Sequence, residues 1–396
     1  MIPWVLTRES DVMAEVLQVE FARPLDADPR RSYTLPSRYY TDPEIFELER
    51  ERIFYRSWMY LCHVSEVARP GDYLAGSILD QDVFVVRDRS DQLRGYYNVC
   101  QHRAHRLVEG SGTFRAAITC PYHAWAYGLD GQLRTARNSD GVEGFDKSQF
   151  SLRPVRVEVM CNLVFVNLDN EAASLASQAP NLKADICREL PYWKDLTLTE
   201  SYDFGGRAMD AGWKVVIDNY LECYHCEVAH PQFCDIISMP AYENTIDGIT
   251  ARQKGWDVCH DNSAYHLARD ARMPHSLFWY VWPTTTINVM PGDGDLLITS
   301  AVPVNHLATR FTNYRFSPDG TPDRKDRRNY LENVLGTEDM LLCESVQRGL
   351  FSRGYDQGRF IVDSEDSGVG EHVVHHFHRM VRDALDDQGS EPNRSL

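Results

Sequence analysis

The sequence predicts an α+β protein with a small, mostly β module followed by a larger domain in which an antiparallel sheet is flanked by helices. Three observations lead there. Short runs of alternating apolar and polar residues dominate about residues 45–165. From about residue 200 helix-spaced segments alternate with aromatic and β-branched runs. No low-complexity linker or internal repeat separates the halves, so they should pack rigidly. A chain of 396 residues is long enough for this division. Residues 1–44 read as an N-terminal segment packing on the larger domain, 45–165 as the β-rich module and 166–396 as the larger domain.

Along the chain, an acidic and weakly helical stretch near Asp11–Val19 is followed by Thr41-Asp42-Pro43-Glu44. This is a helix start, with a capping side chain and an early proline, and the helix should run to about Trp58. Asp82–Asp88 and Gln92–Val99 flank a polar turn and read as a hairpin. Arg156–Asn167 is a further β-rich stretch. Trp213–Ala229 reads as one helix stopped by Pro231, and Leu277–Met290 as sheet ending at Pro291-Gly292. Thr337 should cap a helix carrying Met340, Leu341, Val346 and Leu350. Gly370–Leu385 is the closing helix, with Val374, Phe377 and Val381 as its apolar stripe, and the last ten residues look disordered.

Composition excludes several classes. A formal charge of −17 argues against a nucleic-acid partner, whose phosphates call for clustered Lys and Arg, and it could steer a cationic ligand or a basic redox partner. No apolar run approaches the about 18 residues needed to span a bilayer, and the N-terminus lacks a secretory pattern. A cytoplasmic protein is expected. Ten irregularly spaced cysteines in a chain this long are no disulfide scaffold. Where cysteine and histidine cluster they read as metal ligands, and elsewhere as buried thiols.

The first such cluster is Cys100-Gln101-His102, followed after 17 residues by Cys120-Pro121-Tyr122-His123. Two Cys/His pairs on tight loops can converge on one site, and the mixed thiolate and imidazole set suits zinc or iron–sulfur iron. Zinc sites more often use C-x-x-C and H-x(3–5)-H pairs. C-x-H with C-x-x-H is the arrangement in which two Cys hold one iron and two His the other, the Rieske [2Fe–2S] pattern. These segments, with Ala124-Trp125 and Tyr127-Gly128-Leu129-Asp130-Gly131, resemble the cluster loops of ring-hydroxylating and related Rieske non-haem iron oxygenases. Respiratory-type Rieske proteins carry one more cysteine in each loop. Neither loop here has one, which favours the oxygenase type.

The second cluster is Asp218-Asn219-Tyr220-Leu221-Glu222-Cys223-Tyr224-His225-Cys226-Glu227-Val228-Ala229-His230-Pro231. Glu222 and His225 would share a face on a helix, and Pro231 disfavours helical geometry at His230. Two imidazoles and a carboxylate on one side of iron leave positions open for dioxygen. Alone, H-x4-H is a weak signal, and a helix terminus with packed or capping histidines is the plainer reading. The segment resembles the iron-binding helix of the oxygenase family, and the resemblance implies that His225 and His230 bind a mononuclear Fe(II). It also implies a third ligand from a C-terminal helix. Asp339 holds that position ahead of Glu344-Ser345-Val346-Gln347, in preference to Glu338 or Glu344. Glu222 stands where the family has an acidic bridge, usually Asp, between a cluster histidine of one subunit and an iron-ligand histidine of its neighbour. Glu at this position, and the wording around it and around Ser345–Tyr355, resemble the branch acting on quaternary ammonium compounds, which includes the carnitine monooxygenases and stachydrine demethylases. The resemblance spans about residues 40–385.

It implies a catalytic subunit that oxidises a betaine-like cationic substrate with O2, most simply by N-demethylation with formaldehyde release, and with aromatic ring hydroxylation as the alternative. Electrons from NAD(P)H would arrive only through a separate reductase, and a ring-shaped homotrimer would set one subunit's cluster beside another's iron. Phe278, Tyr280 and Trp282 alternate and should face one way on a strand. They are either packed core or, for Tyr280 and Trp282 in particular, aromatic faces for a methylated ammonium group. Cys223 and Cys226 form C-x-x-C without a thioredoxin-like βαβ context, so buried thiols are the default reading. His372, His375, His376 and His378 belong to a packed or solvated helix rather than a third metal site. A pure electron carrier would leave the second constellation without a role.

Overall fold

The computed structural model describes residues 22–321, 324–365 and 367–386. The stretch near Asp11–Val19 and the last ten residues, for which expectations were set out, lie outside that range.

Asp42 does cap a helix, accepting from the Glu44 amide at 2.9 Å ahead of Pro43. This helix, Pro43–Arg52 (α1), stops six residues short of Trp58, and a 3-10 turn at Phe54–Arg56 completes the segment. Five strands follow: Met59–His63 (β1), Asp72–Ile78 (β2), Gln81–Arg87 (β3), Leu93–Tyr97 (β4) and Ser111–Thr113 (β5). Next come Ile118–Thr119 (β6), Ala126–Tyr127 (β7), Leu133–Thr135 (β8), Pro154–Met160 (β9) and Leu163–Asn167 (β10). The expected hairpin is β3–β4, with Val83 opposite Tyr97. Seven strands form one antiparallel sheet in the order β1-β10-β9-β4-β3-β2-β5, and β6-β7-β8 form a small one. Phe84, Val86 and Tyr96 from the first sheet share a core with Ile118, Tyr127 and Leu133 from the second.

A second seven-stranded antiparallel sheet runs through the rest of the chain. Its strands are Thr197–Asp203 (β11), Tyr242–Asp247 (β12), Thr250–Gly255 (β13), Ser276–Val281 (β14), Thr285–Val289 (β15), Leu296–Asn305 (β16) and Ala308–Ser317 (β17). The order is β11-β17-β16-β15-β14-β13-β12. The run Leu277–Met290 is therefore not one strand but a hairpin, turning at a cis Trp282–Pro283 bond. The chain is thus α+β, with antiparallel sheets and flanking helices.

Trp213–Tyr220 (α2) crosses this sheet. Its Trp213 Nε1–H donates to the buried Glu49 of α1 at 2.7 Å, and Lys214 pairs with the same carboxylate. Gly212, just ahead, is required by space, since a Cβ there would run into the His306 carbonyl. The single helix expected for Trp213–Ala229 breaks after Tyr220 and resumes only at Cys226–Ala229 and Pro231–Ile236. Glu222 supplies the reason. Its carboxylate accepts from the amides of Tyr224 and His225, giving the backbone an alternative to helical bonds. A disulfide joins Cys223 to Cys226 across the same turn, so these two are not the buried free thiols expected.

Near the C-terminus, Lys325–Asn329 runs through a π-helical stretch, Tyr330–Leu335, into Gly336–Gly349 (α3) without leaving helical geometry. Thr337 is consequently inside the rod and caps nothing. The closing helix is His372–Asp386 (α4), with Val374, Phe377 and Val381 buried as expected. His378 is buried too, bonded to Asp218 Oδ1 at 2.8 Å, and Tyr40 donates to the other oxygen of that carboxylate at 2.6 Å. Leu25, Leu35 and Tyr40 from the N-terminal segment share this core with Trp213 and Phe377.

Candidate metal centres

The two Cys/His loops are built alike. In the first, the Cys100 amide donates to the His105 carbonyl and the Ala104 amide returns to the Cys100 carbonyl. In the second, Cys120 and Trp125, then Ala124 and Cys120, repeat both bonds. Ala104 and Ala124 each take positive φ, 54° and 57°, which closes each loop tightly. This matched geometry brings His102 and His123 face to edge with ring centroids 4.6 Å apart, and Trp125 stacks on His102 at 4.7 Å. Cys100 and Cys120 lie buried beneath, while His102 is exposed. The Tyr127 hydroxyl sits 3.2 Å from Cys100 Sγ and accepts from the Gln101 amide at 3.0 Å. Burial pushes the Cys100 thiol up, so a metal would have to draw out the thiolate. The residues fit a [2Fe–2S] group: two thiols, two imidazoles, and a His123 Nδ1 that is buried with no hydrogen-bond partner among the described residues.

The second site gathers three chain segments. His225 lies in the turn after α2, His230 at the junction before Pro231, and Asp339 in the first turns of α3. His225 Nε2 and His230 Nε2 are 3.1 Å apart, and Asp339 Oδ1 is 2.9 Å from the second and 3.6 Å from the first. The other ring nitrogens are engaged. His225 Nδ1 donates to Glu222 Oε1 at 2.5 Å, and His230 Nδ1 donates to Glu338 Oε2 at 2.8 Å. With both Nδ1 atoms protonated, the two Nε2 lone pairs and a carboxylate oxygen point at one spot. That is a donor set for a divalent cation, and two imidazoles with one carboxylate suit non-haem Fe(II). Without metal, burial opposes charge on His225, but Asp339 and Glu222 outweigh it and raise its pKa to about 9. Burial likewise works against the Asp339 carboxylate, yet the two histidines bring it down to about 2.

Sequence reasoning weighed Glu338 only as a rival ligand and missed its place behind His230. The adjacent acids Glu338-Asp339 were the available signal. The triad opens onto a cavity of about 220 Å³. Phe278 lines it with Phe233, 6.1 Å away between ring centroids, and with Tyr242. Tyr280 and Trp282 do not line it and need correction as substrate contacts. Tyr280 is 1% exposed, its hydroxyl on the Pro283 carbonyl, and Trp282 donates from Nε1 to Ser57 Oγ at 3.0 Å. Phe278 and Tyr280 share a strand face, but Phe377 of α4 and Trp213 of α2 cover its far end. No helix among the described residues is long and apolar enough to cross a membrane.

Residues 57–146 match the Rieske [2Fe-2S] domain family, and 198–387 match the ring hydroxylating alpha subunit (catalytic domain) family. The carnitine monooxygenase oxygenase subunit of Escherichia coli K12 is 39% identical over 365 residues, covering 91% of this chain and 96% of that one. A chloroplastic choline monooxygenase of Arabidopsis thaliana is 28% identical over 398 residues, covering 95% and 87%. A solved quaternary ammonium Rieske monooxygenase, described in terms of carnitine oxidation and inter-subunit electron transfer, is 36% identical. It superposes with a TM-score of 0.83 over 91% of this chain and 98% of that one. In that family an oxygenase component carries a Rieske cluster and a mononuclear iron and draws electrons from a separate reductase. The matched loops at 100–125 and the converging donors of His225, His230 and Asp339 take their meaning from that likeness: this chain belongs to the Rieske non-haem iron oxygenases and is an oxidoreductase of the monooxygenase type.

Proposed function

We propose that this enzyme uses O2 to oxidise a quaternary ammonium substrate, by N-demethylation with release of formaldehyde. The observation that carries the reading is the cavity itself. Next to the His225/His230/Asp339 triad it offers aromatic faces, Phe233, Phe278 and Tyr242, and the carboxylate of Glu222. A methylated ammonium has no hydrogen to donate, so aromatic faces and a nearby negative charge are what can hold it. The 39% identity to a carnitine monooxygenase subunit supports the same class.

Cys100, His102, Cys120 and His123 would hold the cluster, and His225, His230 and Asp339 the iron. Once bound, the cluster supplies single electrons and the iron supplies oxygen activation. The chain's own residues do the rest. The aromatic wall positions one N-methyl group towards the triad. Apolar residues keep water from the reacting carbon. Glu222 and Glu338 each fix one imidazole through its Nδ1–H. In a homotrimer, we propose, Glu222 also links His225 to the exposed His102 of a neighbouring subunit, giving electrons a hydrogen-bonded path. The description of the related solved enzyme in terms of inter-subunit electron transfer supports this. A cytoplasmic location, a division near residues 44 and 165, and O2, a reductase and a cationic small molecule as partners complete the proposal.

An assay of formaldehyde release across betaines, carnitine and aromatic acids tests it. Turnover of quaternary amines with stoichiometric formaldehyde is expected. Turnover of an arene with none of any quaternary amine would overturn it.

A further inference from the structure

The turn that carries His225 is closed by a covalent bond. Cys223 and Cys226 stand on either side of Tyr224-His225 and are joined as a disulfide across a separation of three residues. They are 3% and 4% exposed, and both line the cavity of the metal site. Within the same turn the Glu222 carboxylate accepts from the amides of Tyr224 and His225 and from His225 Nδ1–H. The disulfide thus brackets the imidazole that presents its Nε2 to the iron position, and it adjoins the carboxylate that fixes that ring.

Such a bond adds little as a brace. Closing so short a loop removes little freedom from the unfolded chain, and it ties no two distant segments together. The other eight cysteines are free. In a chain whose remaining thiols stay reduced, an isolated disulfide is of the sort that opens and closes. Cys234 packs against the same apolar cluster but is a poor rival partner. Burial pushes its thiol up to about 11, which keeps it protonated and unreactive. The cavity gives small reagents a way to the two sulfurs, and Tyr224 and Val228 on the outer side of the turn are exposed.

We propose that Cys223 and Cys226 form a redox modification site, opened by small reductants and closed by hydrogen peroxide, whose state sets how firmly this turn holds iron. Opening takes two electrons and two protons from the reductant, breaks the S–S bond and leaves two thiols. In closing, one thiolate attacks the peroxide, whose O–O bond breaks, giving a sulfenic acid and one water. The second thiol then forms the S–S bond and displaces the other water. Both electrons end on the peroxide oxygens. Once the bond is open the sulfurs can no longer stay at bonding distance. Cys223 and Cys226 move apart, and the turn between them loses the fixed shape that aims Glu222 and His225.

The test uses the full-length, iron- and cluster-replete enzyme, treated either with a phosphine reductant or with stoichiometric hydrogen peroxide and then freed of reagent. Thiols counted in denaturant after iron removal should number eight in the peroxide-treated form and all ten in the reduced form. Release of the mononuclear iron to a chelator should be about tenfold faster from the reduced form. It should return to the slower rate on re-oxidation, while the optical absorption of the cluster stays the same throughout. The double variant Cys223→Ser/Cys226→Ser should release iron at the reduced enzyme's rate and respond to neither reagent. The two states of the unaltered enzyme can be compared without any variant, so poor folding of the double variant does not leave the matter open. Equal release rates from forms that differ by two thiols overturn the proposal. So does a count of ten thiols after peroxide, or a double variant that still responds to the reagents. Neither thiol count nor iron release depends on the substrate, so failure here is distinct from failure of the N-demethylation reading.

Discussion

The two candidate metal centres are assembled in opposite ways. The Cys100/His102/Cys120/His123 site is made by two near-identical loops that present an imidazole to solvent, with the thiols buried behind. The His225/His230/Asp339 site is made by three unlike segments that enclose their donors beside a cavity, with a carboxylate behind each imidazole. An exposed ring edge suits the passing of electrons to another molecule. An enclosed triad suits chemistry that must exclude water. Division of labour is thus written into the exposure of the histidines, and separate perturbations should separate the two centres.

The largest effects should come from the ligands. Asp339→Ala and Cys100→Ser should each remove turnover. Optical absorption of a Rieske cluster should persist in Asp339→Ala and vanish in Cys100→Ser. Loss of the cluster spectrum in both would mean that the centres are not independent.

The carboxylates behind the imidazoles come next. Glu338→Gln should weaken iron retention by about 10- to 100-fold, read by competition with a chelator. Glu222→Gln should lower turnover by a similar factor, and re-oxidation of the reduced cluster by O2 and substrate should slow in parallel. If Glu222 did no more than orient His225, iron retention would fall instead and re-oxidation would keep its rate in the iron-loaded fraction.

Acid–base behaviour offers a smaller, graded test. In the metal-free protein the His225 pKa stands at about 9, above its ordinary value of 6.5. This group's contribution to stability is complete below 6.5 and is lost as the pH rises through 9. Asp339, held at about 2 against 3.8, contributes above 3.8 and loses its contribution as pH falls through 2. Iron must displace the His225 proton, so apparent iron affinity should fall by up to about tenfold per pH unit between 9 and 6. Iron titrations at pH 6, 7 and 8 measure this, and a flat profile would contradict the geometry.

The smallest contrast lies along one strand. Phe278→Ala should raise KM for a quaternary amine by about fivefold, in line with a cation–π contact of about 1 kcal/mol. Tyr280→Ala, two residues on, should cost about 3–5 kcal/mol of stability through the void it leaves, measured by denaturant unfolding. The reverse pattern would restore Tyr280 to the cavity wall.

These contrasts also mark how far the amino-acid sequence could be read. Metal ligation restricts residue type and spacing so tightly that C-x-H with C-x-x-H stood out before any fold was known, whereas His225 and His230, a weak pair by spacing alone, were picked out by the family resemblance. The β3–β4 hairpin, the β9–β10 stretch and the sheet character of Leu277–Met290 were legible in the sequence, as was α4 from its apolar stripe, but most other strands of the two large sheets were not. Nor was the cavity wall. Phe278 and Tyr280 look equivalent because period-two alternation shows a shared face. Which end of that face stays open depends on Phe377, about a hundred residues away in sequence. The break after Tyr220 was equally hidden. It follows from one glutamate side chain taking over two amides and from a disulfide three residues across. The π-helical entry into α3, which removes the expected cap at Thr337, makes one continuous rod of 25 residues and has no local signal.

The most direct test of two separate iron centres is the iron content per chain, measured with the EPR spectrum of the reduced protein before and after His225→Ala. About three iron atoms should fall to about two, the Rieske-type signal should remain, and turnover should be lost. A protein that never shows the Rieske signal when iron-replete, or one that keeps full turnover without the His225 imidazole, would contradict the account.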